Sequence, residues 1–216
     1  MKRPLLLAAA TLAALATLSA CSSAYYGTLE SFGVHKREIL VDRVDEALES
    51  QEDAQEQFAS ALEQFSAVTA FDGGDLEDLY EDLNDSFERS ESRAAEVHDR
   101  VESVRKVAGD LFDEWEEELE QYSDASLRRQ SEQSLRDTRR RYQRLIGAME
   151  SAEQRIDPVL SRFRDQVLFL KHNLNARAVA SLRTQLTGIE SDVQDLISAM
   201  NESISEARSF IEQMET

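Results

Sequence analysis

The chain has 216 residues, with 43 Asp or Glu against 24 Lys or Arg, and a formal net charge of −19. So acidic a surface repels DNA, RNA and anionic lipid over most of its area, which argues against a nucleic-acid partner. Two prolines, seven glycines and a single cysteine favour long helices over sheets and exclude a disulfide within the chain.

Lys2 and Arg3 open the sequence, and the run Leu5–Leu18 is mostly Leu and Ala, followed by the small pair Ser19-Ala20. This is the layout of a secretory signal over residues 1–20. The apolar run is too short to span a hydrocarbon core of about 30 Å comfortably. Leu18-Ser19-Ala20-Cys21 resembles the lipobox of bacterial lipoproteins. That resemblance implies cleavage before Cys21 and attachment of acyl chains such as palmitate to its thiol and new amino group. Several chains on one residue give stable anchoring where one does not. The same resemblance gives Ser22, in place of Asp, the meaning of transfer to the periplasmic face of the outer membrane. Residues 21–30 then form the lipidated cysteine and a short tether, in which Tyr25 and Tyr26 suit a membrane interface. Loss of Lys2 and Arg3 takes the net charge from −19 to −21.

Residues 31–216 carry three breaks. Phe71-Asp72-Gly73-Gly74-Asp75 is a strong turn signal. Gln121–Ser126 is a weaker one, with Ser123 or Asp124 available as an N-cap, and His172–Ala176 offers two asparagines suited to helix ends. The spacing predicts helices over about 31–70, 75–121, 125–173 and 177–215. Each carries apolar residues at seven-residue spacing, as in Val41, Leu48, Gln55, Leu62 and Leu83, Ser90, Val97, Val104. Antiparallel packing brings these series into register. In the first hairpin Val41 falls opposite Val104, Phe58 opposite Phe87, Phe65 opposite Tyr80, Gln51 opposite Ala94 and Gln55 opposite Ser90. In the last, Leu170 falls opposite Leu182 and Phe163 opposite Ile189, and in the middle pair Leu135 faces Leu111 and Tyr142 faces Val104. The expected fold is all-α, an elongated antiparallel four-helix coiled-coil bundle made of two long helical hairpins. Two looser hairpins are the competing arrangement. Pro158 removes one backbone hydrogen bond and predicts a bend or interruption near Arg155-Ile156-Asp157.

Motifs of chemistry are missing. There is no G-x-x-x-x-G-K-[ST] phosphate loop, no H-E-x-x-H and no G-x-S-x-G. His35, His98 and His172 are too far apart to share a metal, and the acidic run Asp72–Asp85 lacks the alternation of a calcium loop. No catalytic residue, cofactor or metal is therefore expected, and the chain reads as a non-enzyme. Arg128, Arg129, Arg136, Arg139, Arg140, Arg141 and Arg144 stand out, and the simplest use for them is pairing with Asp113–Glu120 of the second helix. Lys36, Arg37, Arg128 and Arg129 fall at the end nearest the tether, which makes them candidate membrane-proximal basic contacts. Leftover apolar positions such as Ile39, Leu40, Leu168 and Ile197 leave room for a homo-oligomer.

Ala24-Tyr25-Tyr26, Lys36–Val44, Phe169–Ala176 and Ala180-Ser181-Leu182 resemble an uncharacterised proteobacterial envelope lipoprotein family, a domain of unknown function. The resemblance covers essentially the whole chain after Ala20 and supplies no catalytic residue or ligand. The expected function is a lipid-anchored envelope scaffold, spacer or adapter with protein partners of the envelope. The alternative is a periplasmic chaperone-like holdase, which needs an open apolar groove that these heptads consume.

Overall fold

The computed structural model describes residues 36–215. The predicted signal, Cys21, the tether with Tyr25 and Tyr26, and His35 lie outside them. Four helices follow in order: α1 (Lys36–Thr69), α2 (Leu76–Leu119), α3 (Ala125–Lys171) and α4 (Ala176–Glu215).

The ends of the helices have local causes. Gly73 and Gly74 take φ of 149° and 111°, a region L side chains rarely enter, so the α1–α2 turn requires glycine there. Asp75 caps α2 by accepting from the Glu77 amide, and Asp124 caps α3 by accepting from the Ser126 and Leu127 amides. Asn175 does the same for α4, its Oδ1 accepting from the amides of Arg177 and Ala178. Helix α3 runs without interruption through Pro158, which sits on its exposed side. The missing hydrogen bond there falls on the solvent face, where a long helix tolerates stretching.

Helix α1 packs on α2 and α4, and α3 packs on α2 and α4, so the four close into a ring rather than forming two loose hairpins. The ring encloses one core. Phe58, Phe65, Leu83, Leu145, Met149, Phe163, Leu182 and Leu196 are fully buried along its length. Phe65 and Phe163 meet edge-on across the diagonal, with ring centroids 5.9 Å apart. Burying each such side chain contributes about 1.5–3 kcal/mol, and dozens of them hold helices that would be marginal alone.

The ion pairs report the registers. Between α1 and α2, Arg93 reaches Asp53 and Arg100 reaches Glu46, each one position from the predicted partner. Between α3 and α4, Arg162 reaches Asp192 and Arg144 lies near Glu206, each within two positions. The α2–α3 register differs. Trp115 donates to Ser131 beside the turn, as the predicted pairing requires. Further along, however, Tyr142 stacks edge-on with Phe112 rather than facing Val104, and Arg105 pairs with Glu150 and Glu153. The slip is about one heptad, which lays apolar residues on apolar residues equally well, so periodicity alone does not fix it. In a closed ring three interfaces fix the fourth.

Other expectations change with this geometry. Gln55 turns toward α4 and donates to Asn201, while Gln57 bonds with Ser86 and Ser90. Ile39 and Leu40 are buried and Ile197 packs against the core, so of the four leftover apolar positions only Leu168 is open to solvent.

Candidate functional site

The start of α1, the end of α2, the start of α3 and the end of α4 gather at one end of the bundle. All four candidate basic contacts lie here, and three are committed to the fold. Lys36 pairs with Glu114 at 3.0 Å. Arg37 donates to the Met214 carbonyl, and Arg141 donates to the Gln213 carbonyl at 3.4 Å. The last turn of α4 has no basic residue of its own, so cations from α1 and α3 satisfy its free carbonyls and its dipole. The two arginines line a cleft of about 310 Å³ with Trp115, Asp137 and Thr138. The other end mirrors the device, with Arg183 of α4 donating to the Thr69 and Phe71 carbonyls that end α1.

Arg128 bonds with Glu120 and Glu132. Arg129 is exposed and makes no ion pair among the described residues. Beside it, at the α2–α3 turn, Tyr122 and Leu127 are also exposed. The rest of the arginine-rich stretch divides its partners. Arg139 pairs with Glu116 and lies over the Phe112 ring, and this guanidinium holds the Glu116 carboxyl below its usual range. Arg136 and Arg140 pair within α3, and Arg144 turns to α4. Pairing with α2 thus accounts for Arg128 and Arg139 only.

A second concavity, of about 390 Å³, lies along the α2–α3 seam at mid-length, beside Pro158. Glu91, His98, Glu153, Asp157 and Arg164 ring it, with Ile156 and Leu160 at its floor. His98 Nδ1 is 2.5 Å from Glu153, which also accepts from Arg105. The hydrogen bond to Glu153, with the charge of that carboxylate, raises the His98 pKa above its ordinary 6.5. Sequence reasoning missed this pairing because the α2–α3 slip creates it. His98 is two-thirds exposed, and the seam holds charges that neutralise one another without a nucleophile between them. His172 lies at the far end of the bundle, so the two described histidines cannot act together. Among the described residues no group of three or more His, Cys, Asp or Glu is placed to hold a metal ion. No described helix is long and apolar enough to cross a membrane.

The profile of DUF2959, a family described as a protein of unknown function, matches residues 25–214. The chain belongs to that family. The DUF2959 match begins before α1 and ends in the last turn of α4, so it spans all four helices of this chain. Lys36–Val44 and Phe169–Ala176 both fall within the DUF2959 span. No curated protein matches the chain.

Proposed function

We propose that the chain is a lipoprotein of the bacterial envelope, held by acyl chains on Cys21 at the periplasmic face of the outer membrane, and that it serves as a non-catalytic spacer or adapter. The observation that carries the mechanical part is the closed ring. Its apolar stripes are spent on one internal core, and its outer faces are charged. A rod of helices up to 47 residues long is about 70 Å at 1.5 Å per residue, enough to present partners well away from a membrane. The anchor rests on the Leu18–Cys21 pattern. Envelope proteins would dock along the exposed helical faces. At the anchored end, Arg129 with Tyr122 and Leu127 is the group left to meet headgroups once Lys36, Arg37 and Arg128 are engaged. The holdase alternative gains little from the two concavities, which charged side chains line.

Metabolic labelling with an alkyne palmitate analogue tests the anchor. Label should enter the wild-type chain and vanish in Cys21→Ser, with the variant lost from the outer-membrane fraction. Unlabelled wild-type chain would end the lipoprotein reading. Crosslinking in whole cells should recover envelope proteins from the adapter, and recovery of lipid alone would remove that role.

A further inference from the structure

The far end of the bundle, where the α1–α2 and α3–α4 turns meet, has an unusual division of charge. No Lys or Arg occurs between Arg43 and Arg89, and no Asp or Glu between Asp165 and Glu190. The fold sets these two stretches side by side at one tip. On one side stand Asp72, Glu77, Asp78, Glu81 and Asp82, all exposed. On the other stand Lys171, His172 and Arg177, also exposed. None of these eight makes an ion pair among the described residues, although ion pairs lace the rest of the bundle. The basic side also carries apolar surface. Leu168 is 53%, Phe169 41% and Leu174 39% exposed, three of the five large apolar residues left open in the described chain.

From this arrangement we infer that the tip pairs with the tip of a second copy of the chain. Each copy's basic, apolar α3–α4 turn lies on the acidic α1–α2 turn of the other. A two-fold axis makes one patch serve both partners, because a surface acidic on one side and basic on the other complements itself when rotated. A polyanion would gain from Lys171 and Arg177 but be repelled by the acidic turn beside them, and a polycation would meet the reverse. Only a partner bearing both signs in mirrored order satisfies both halves, and a second copy carries that order by construction. Leu168, Phe169 and Leu174 would be covered by the partner's α1–α2 turn, adding apolar burial to the charged contact. The pairing is independent of the lipid anchor.

Disulfide trapping in the full-length chain tests it, in a Cys21→Ser background that leaves no other cysteine. Co-expressed Leu174→Cys and Asp72→Cys chains should give a mixed crosslinked dimer under mild oxidation, and Leu127→Cys, at the opposite end, paired with Asp72→Cys should not. Placed in both chains, Lys171→Glu with Arg177→Glu should cut this mixed dimer at least fivefold, as should Asp78→Lys with Asp82→Lys. Co-expression of the two charge variants should restore it, since each then supplies the sign the other lacks. All of these positions are exposed, and unchanged helical circular dichroism confirms folding. Crosslinking at Leu174→Cys no greater than at Leu127→Cys, equal yield in the charge variants, or capture of a different protein at the tip would each overturn the inference.

Discussion

Gln51 is fully buried in α1, and neither its amide nitrogen nor its amide oxygen has a hydrogen-bond partner among the described residues. Ser50 and Ser203, also buried, leave their hydroxyls in the same state. A polar group in a coiled-coil core fixes register at a cost in stability. Gln51→Met keeps the length and removes the orphaned amide, so stability should rise by about 1–3 kcal/mol. A higher urea midpoint with an unchanged slope would show it, and a lower midpoint would mean that the amide is satisfied in solution. His98 offers a pH test. Its folded pKa is raised above 6.5 by Glu153, so its contribution is complete below about pH 6.5 and fades as pH climbs through the raised value. Glu153, Asp99 and Arg105 are the charges that act on it. His98→Gln should therefore lower the urea midpoint slightly at pH 5.5 and leave it unchanged at pH 8.5. A loss equal at both values would assign His98 a packing role instead. The His98–Glu153 pair was invisible in the sequence, whereas the isolation of the histidines from one another was plain in their spacing.

Among the elements, α3 departs most from simple expectation. Pro158 points to a break, yet the helix continues to Lys171 because Ile156, Val159, Leu160 and Phe163 bury their side chains around it. Packing on both α2 and α4 outweighs one absent hydrogen bond. Because Pro158 faces solvent, Pro158→Ala should restore the bond without disturbing the core. Interior proline costs about 3 kcal/mol relative to alanine, so thermal or urea unfolding should show a gain of about 1–3 kcal/mol. A destabilised variant would show that proline at this position is required by the ring. The other helix ends were readable, since Gly73-Gly74, Asp75, Asp124 and Asn175 act through chemistry local to each turn. The cross-helix caps were not readable. Arg37 and Arg183 satisfy carbonyls across the α1–α4 seam, which only the closed ring makes, and Arg141 does so across the α3–α4 hairpin.

At the scale of the whole molecule, the heptad spacing was enough to dictate four helices, their antiparallel order and most of the core, including Phe58, Phe65, Phe163 and Leu182. Apolar periodicity and turn chemistry are encoded within a few residues of where they act, so they survive reading in one dimension. The sequence also carried the lone Cys21 and its Leu18–Ala20 context, which need no fold to be recognised. Three matters were decided by tertiary structure alone. The ring closed through α1 and α4, which excluded two separate hairpins. The α2–α3 seam slipped by about a heptad, because a repeat of seven matches itself at every seventh residue and only the other three interfaces choose among the matches. The charges then found their places: most of the ion pairs joined neighbouring helices across the seams, while the charges of the α1–α2 and α3–α4 turns were carried to one tip and left facing outward.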